Sequence, residues 1–266
     1  MLIVQLSDMH VRPPGKLFLG KVDSNAMLAA AVARVNKLDP APDLVLLTGD
    51  LVEKSTDADY AHLLTLLSPL AVPVLAIPGN HDERDRLRRA FPGHRHMPPA
   101  GPINYVAGDL GPMRIVAFDI TVPGRHYGEV TEEGARWLDA ALAAEPGRPT
   151  LVMMHQPPFA SGVPYLDATM CRGGERLAEI VSRHGSVERI ICGHVHRFMQ
   201  VRFGGTILCT APSTTTSFAL QIRPDAKAMW DVESGFLLHH WRESIGLVTH
   251  LVPTAETPGP FPFAGA

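Results

Sequence analysis

Asp8-Met9-His10, Gly49-Asp50, Gly79-Asn80-His81-Asp82, His155 and Gly193-His194-Val195-His196 share side chains suited to one task. They offer carboxylate oxygens, an amide oxygen and neutral imidazole nitrogens, with no thiolate among them. That mixture suits Mn²⁺, Fe, Zn²⁺ or Co²⁺ better than Ca²⁺, which prefers oxygen alone. Asp50 has two oxygens and can bridge two cations. Taken singly, Asp-x-His or Gly-Asp reads as a turn or a helix cap. Gly-Asn-His-Asp alone reads as a turn, because Gly and Asn tolerate left-handed backbone. Together and in this order they read as a two-metal site. Two ions about 3.5–4 Å apart can activate water, grip the non-bridging oxygens of a phosphate and stabilise in-line displacement. The chemistry indicated is phosphoester hydrolysis. It needs no serine or cysteine nucleophile, and the chain carries neither a G-x-S-x-G elbow nor a P-loop.

The elements that would position these donors are legible as short apolar runs. Residues 2–6, 43–48, 73–77, 151–154 and 189–192 read as buried strands, and a motif follows each one directly. In open α/β sheets that carboxyl edge is where ligands bind. Helices are expected from Ser24, as the cap, to about Leu38, and then over 57–67, from Thr131 to about Ala144, and over 174–184. Residues 103–107 and 113–118 add strands. Beyond Gly193 the helical period is lost, and 198–203, 206–209, 219–222, 236–241 and 247–252 read as mostly antiparallel strands. Residues 253–266, rich in Pro and Gly, read as an irregular tail. Extended backbone within Asp8-x-His10 and His194-x-His196 would turn both side chains of each pair to one side. Gly49, Gly79 and Gly193 would permit unusual φ and close approach there.

Composition narrows the partners. The chain has 266 residues, and 24 Lys+Arg against 27 Asp+Glu leave a net charge of −3. A nucleic-acid binder shows a basic surplus or stripe, so no polymer is expected. The Arg84 to Arg89 stretch, interrupted by Asp85, reads as a solvated helix face. Three scattered cysteines fit a reducing compartment, and Cys192 and Cys209 read as core thiols. No apolar run approaches the roughly 18 residues of a membrane helix. Residues 2–6 are too short for a signal peptide, so a cytoplasmic location is expected. His62, His184, His239, His240 and His250 read as structural or surface residues. His94, His96 and His126 lie in Pro/Gly-rich loops placed to overhang a site. Asn25 reads as a helix cap in preference to a contact with a substrate oxygen, and residues 213–217 as either a loop rim or a polar strand.

The ordered set D-x-H, G-D, G-N-H-D, H and G-H-x-H, spanning residues 8 to 196, resembles the calcineurin-like metallophosphoesterases. The opening S-D-M-H-V-R-P-P-G-K-L-F-L-G-K-V-D-S-N-A resembles one branch, the bacterial class III cyclic-nucleotide phosphodiesterases and related glycerophosphodiesterases. The resemblance implies an α/β fold, a four-layer αββα sandwich with a C-terminal extension. Residues 1–210 would form the catalytic core, and 211–266 would complete the sandwich and contribute to a dimer or higher homo-oligomer. By the same resemblance Asp8, His10, Asp50 and His196 would hold one metal, and Asp50, Asn80, His155 and His194 the other, Mn or Fe being favoured. His81 would contact the phosphate or protonate the leaving alkoxide, with Asp82 orienting it. Asn80, His81 and His196 would face the substrate. The favoured substrates are 3′,5′-cyclic nucleotides such as cAMP. Some glycerophosphodiesterases carry a further substrate-side histidine where this chain reads Ala-Pro-Ser-Thr-Thr-Thr-Ser over 211–217. The alternatives are glycerophosphodiesters or a broad range of small diesters and, from another class, a metal-stabilised binding module without turnover. His81 and Asp82 argue against the last, because binding alone needs no proton donor beside the ligands.

Overall fold

Strands that are apolar on both faces need cover on both sides. The computed structural model, which describes residues 1–259, 261 and 262, supplies that cover with two sheets packed together and helices outside them. In chain order the first half comprises β1 (Leu2–Leu6), α1 (Ser24–Asn36), β2 (Leu44–Thr48), α2 (Asp57–Leu67), β3 (Val74–Ile77), α3 (Arg84–Ala90), β4 (Tyr105–Ala107) and β5 (Arg114–Ala117). There follow α4 (Glu132–Ala143), β6 (Thr150–Met153), α5 (Pro164–Asp167), α6 (Gly174–Ser182), β7 (Val187–Cys192), β8 (Met199–Phe203) and β9 (Thr206–Thr210). The last strands are β10 (Ser217–Phe218), β11 (Trp230–Asp231), β12 (Gly235–Arg242) and β13 (Gly246–Pro253).

The first sheet runs β13-β12-β1-β2-β3, with β1, β2 and β3 parallel and β12 and β13 antiparallel. The second runs β4-β5-β6-β7-β9-β8, parallel from β5 through β9 with antiparallel edges. Side-chain alternation divides the core. Ile115, Ala117, Leu151, Met153, Ile191 and Cys209 pack towards the first sheet. Their neighbours Val116, Val152, Ile190, Cys192 and Leu208 turn the other way, onto Leu138 and Leu142 of α4 and Leu177 and Ile180 of α6. Leu28 and Val32 of α1 and Leu63 of α2 cover the first sheet. The result is the four-layer αββα arrangement that the resemblance implied.

Some local expectations differ. Asp23, not Ser24, caps α1, its carboxylate accepting from the Ala26 amide, while Ser24 Oγ donates to the His10 carbonyl. Asn25 does not cap either. Its amide accepts from the Arg12 N–H and donates to the Arg12 carbonyl, which pins the loop after His10. No strand forms over 219–222. The hairpin there pairs only Ser217 and Phe218 with Asp231 and Trp230, and Leu220 and Ile222 are exposed. Of the tail expected over 253–266, residues 260 and 263–266 lie outside the described residues. No helix among the described residues is long and apolar enough to cross a membrane.

Candidate metal centre

All five sequence motifs converge at the carboxyl ends of β1, β2, β3, β6 and β7, where the two sheets meet. The backbone there is not the extended chain expected. Asp8, His10, Asp50, His194 and His196 take φ of 52, 44, 49, 71 and 52°, and only Leu19 and Ser55 join them among described non-glycine residues with positive φ. Left-handed backbone costs an L-residue free energy and persists only where its surroundings enforce it. Here β1, β2 and β7 give way to such residues, which turns their side chains into the seam, whereas Asn80 and His155, after β3 and β6, reach it without left-handed backbone. Glycine enables the crossing of chains. A Cβ on Gly79 would fall on the Asp50 backbone and carboxylate, and one on Gly193 would fall on Ser7 Oγ.

Two buried donor groups result, Asp8 with His10 and His196, and Asp50 with His155 and His194. In each group one ligand atom per residue lies within 4.8 Å of the others. Asp50 Oδ2 lies 3.3 Å from His155 Nε2 and 3.9 Å from His10 Nε2, so a single oxygen faces both groups. The other oxygen accepts the His81 amide at 2.8 Å. Asn80 sits beside the second group, its amide nitrogen 3.2 Å from His126 Nδ1.

The hydrogen-bond partners fix which nitrogen of each ring faces inward. His155 Nδ1 donates to the Thr48 carbonyl at 2.7 Å, His196 Nδ1 to the Thr216 carbonyl at 3.0 Å, and His10 Nδ1 to Glu53 Oε2 at 3.0 Å. His194 is reversed. Its Nε2 lies 3.0 Å from Thr169 Oγ1, whose proton goes to the Leu166 carbonyl, so Nδ1 keeps the lone pair. Such outward bonds are what orients metal-ligating histidines. The inward atoms lack matching partners. His155 Nε2 is buried with no hydrogen bond, and the Nε2 atoms of His10 and His196 face each other at 3.2 Å. Lone pairs so opposed need a cation or a proton between them. The donor set therefore fits a pair of divalent ions.

Charge is tightly linked across the seam. Burial opposes ionisation of Asp50, yet the imidazoles of His155, His81 and His10 outweigh it and hold the carboxyl well below its usual range. Burial likewise opposes a proton on His155, but Asp50 and Asp8 raise it to about 9. Burial and His155 push His194 down to about 3. For His81, burial is overcome by Asp50 and Glu53, and its affinity for a proton rises.

Asp82 departs from its expected role of orienting His81. Its oxygens accept from the Leu51 amide at 3.1 Å, the Gly79 amide at 2.9 Å and the Tyr60 hydroxyl at 2.9 Å, so it fixes the loop rather than the ring. The ring is held by Glu53, through its carbonyl oxygen at 3.1 Å and its carboxylate at 3.3 Å from His81 Nδ1. Sequence reasoning missed Glu53. The available signal was an acid three residues past Asp50, after the apolar Leu51-Val52. The 213–217 run is neither rim nor strand alone. Ser213 and Thr215 hydroxyls donate to the Asp8 carbonyl, and Thr216 braces His196.

A cavity of about 470 Å³ opens over the donors. His10, Asp50, Asn80, His81, His194 and His196 line its floor, and Phe18, Leu19, Tyr165, Phe218, Met229 and Trp230 its wall. No lysine or arginine is among the described lining residues, so an anion there would be balanced by bound metal and by a protonated His81. Of the three loop histidines, His126 reaches this cavity, its ring centre 5.9 Å from that of His81. His94 and His96 pack against Tyr105 instead.

Residues 1–198 match the model of the family described as calcineurin-like phosphoesterase. The chain is 36% identical over 265 residues, 99% of its length and 97% of the relative's, to a probable glycerophosphodiester phosphodiesterase, GpdQ, of Arcobacter nitrofigilis. It is 32% identical to a probable cyclic nucleotide phosphodiesterase of a Synechococcus species, over 86% of this chain and 85% of that one. Among solved structures, a dimetal phosphatase from Danio rerio superposes with a TM-score of 0.68 at 16% identity, covering 96% of this chain and 97% of the other, a likeness of fold.

Proposed function

The chain belongs to the calcineurin-like phosphoesterase family, and from that premise we propose that it hydrolyses small phosphodiesters with two divalent transition-metal ions, glycerophosphodiesters being its substrate class. The observation that carries the reaction is the pair of buried donor groups meeting at Asp50 beneath a cavity. Asp8, His10, Asp50 and His196 would hold one ion, and Asp50, Asn80, His155 and His194 the other, Mn or Fe being favoured. Ions held there supply a water of lowered pKa and a positive clamp on the phosphate. His81, with Nδ1 engaged by Glu53, keeps Nε2 for the leaving oxygen and donates a proton to it as general acid. Asp82 keeps the 79–82 loop in the shape that presents both Asn80 and His81.

The substrate class rests on the relative named as a glycerophosphodiester phosphodiesterase. It matches this chain at higher identity and over more of its length than the cyclic-nucleotide relative does. This reverses the preference drawn from the sequence. The 211–217 segment serves the metal floor, bracing Asp8 and His196, so its lack of histidine is a weak argument against glycerol esters. A second reading, cyclic nucleotides, is favoured by the aromatic wall at Phe18, Phe218 and Trp230, on which a planar base could stack. Steady-state turnover of a glycerophosphodiester and cAMP, measured side by side with the Mn²⁺-loaded enzyme, decides between them. The expected result is a higher kcat/KM for the glycerol ester; a higher value for cAMP would overturn the substrate assignment.

A further inference from the structure

We infer that Glu53 is a positioning residue that acts through His81, locking the proposed acid to the metal floor by way of His10. Its Oε2 atom lies 3.0 Å from His10 Nδ1 and 3.3 Å from His81 Nδ1, so one carboxylate oxygen serves both imidazoles. The two rings meet edge to face around it, their centres 4.9 Å apart at 86°. The carboxylate is itself fixed. The Glu53 amide donates to the Val11 carbonyl at 3.0 Å, within the short bridge that joins Val11 to Val52. Its side chain is only 14% exposed, so water competes weakly for these contacts. The carbonyl of the same residue also accepts from His81 Nδ1 at 3.1 Å. Glu53 thus holds the ring from two directions and aims Nε2 at the cavity.

A different use of the same atoms must be separated from this one. His10, Glu53 and His81 lie close enough to hold a cation. That set loses His10 while His10 gives Nε2 to an ion beside His196, because Nδ1 then keeps its proton and donates it to Glu53 instead of ligating. The positioning role therefore predicts that both ions still bind at saturating Mn²⁺ when the carboxylate is removed, although the lost His10 bond lowers the affinity of one.

The inference rests on His81 acting as the acid, and a double-mutant cycle separates the two claims. Glu53→Ala should lower kcat on a glycerophosphodiester by about 10–100-fold, the usual range for an outer partner of a site histidine, with KM nearly constant. A bis(4-nitrophenyl) ester, whose leaving group needs no proton, should lose much less. With Mn²⁺ in saturating excess, the Glu53 substitution should add almost nothing in a His81→Ala background, and elemental analysis should return the same metal content in every variant. Glu53→Gln, which keeps one acceptor oxygen and the side-chain volume, should recover part of the loss, and it replaces Glu53→Ala in the cycle if that variant fails to fold. Additive losses in the double variant, or loss of an ion from either single Glu53 variant, would overturn the positioning role. Equal slowing of activated and unactivated esters by His81→Ala alone would overturn the acid reading itself, and this inference with it.

Discussion

The floor and the wall of the cavity are built by opposite rules. On the floor, His10, Asp50, His194 and His196 are buried and left-handed in backbone, and bonds that cross between the sheets brace the site, as when Asp8 takes the His194 amide and the Ser213 hydroxyl donates to the Asp8 carbonyl. Wall residues come from loops, the four-residue α5 and two-residue strands, and Leu19, Tyr165 and Met229 are each more than half exposed, at 52, 54 and 56%. A metal site tolerates little positional error, because ligand number and geometry set its chemistry. A substrate wall needs only shape and dryness. The fold spends most of its backbone strain on the floor, Leu19 alone of the named wall residues sharing it, and leaves the wall to loops and short elements. Damage to the floor should therefore abolish chemistry on every substrate, and damage to the wall should only reorder substrates.

The sharpest test of that division inside the floor is His81→Ala. It should lower kcat on unactivated diesters by about 10²–10⁴-fold, the range for a positioned acid, with metal content unchanged. Nitrophenyl esters should be largely spared. A variant that loses an ion would make His81 a ligand, and the floor would have no separate acid.

Beneath the floor, a buried polar chain joins the two sheets. Arg189 donates to Thr249 Oγ1, Thr249 lies 2.8 Å from His239 Nδ1, His239 Nε2 lies 3.1 Å from Gln5 Oε1, and Gln5 donates to Thr48 Oγ1 and the Cys192 carbonyl, both at 2.9 Å. Burial, helped by Arg189, lowers His239 to about 3. The folded state thus prefers the neutral ring. Its contribution is whole above the unfolded value near 6.5 and is lost as pH falls from there towards 3, because the unfolded chain takes up the proton first. At pH 5 the loss is about 2 kcal/mol. Urea titrations at pH 7 and pH 5 should show a smaller pH-dependent loss for His239→Gln than for the unaltered chain. Equal losses would mean that the chain of bonds does not depend on the neutral ring.

Wall substitutions should have the smallest effect. Trp230→Ala should change kcat/KM by less than about tenfold, since a lost aromatic contact is worth about 0.5–1.5 kcal/mol beyond its area. The loss should be larger for cAMP than for a glycerophosphodiester, and metal content should hold. A hundredfold loss on both substrates would show that the wall shapes the floor after all.

The same division explains what could be read from the chain. Asp8, Asp50, Asn80, His155 and His194 each follow an apolar strand, where a polar side chain has few other uses; strand and helix periods gave the α/β alternation, and the four layers came from the family resemblance. The left-handed backbone at Asp8 and His194 could not be read, because a two-residue spacing fits extended chain equally well. Glu53 belongs to none of the motifs, and only the bridge of Val11 to Val52 turns it inward. His126 was one of three loop histidines of similar setting, and the fold of the 121–128 loop alone selected it. The wall left almost no trace. Phe18, Tyr165, Phe218 and Trp230 are scattered in sequence and carry no period; the hairpin of β10 and β11 pairs Phe218 with Trp230, Tyr165 packs on Phe218, and Phe18 stacks on His10.

The central claim, hydrolysis that depends on two ions sharing Asp50, is tested most directly by metal content measured against turnover. Purified protein stripped by a strong chelator should lose activity on a glycerophosphodiester and regain it only as about two equivalents of Mn²⁺ bind per chain. Asp50→Ala should bind less than one equivalent and stay inactive at any Mn²⁺ concentration. Full turnover by the stripped protein, or two retained ions in Asp50→Ala, would contradict the account.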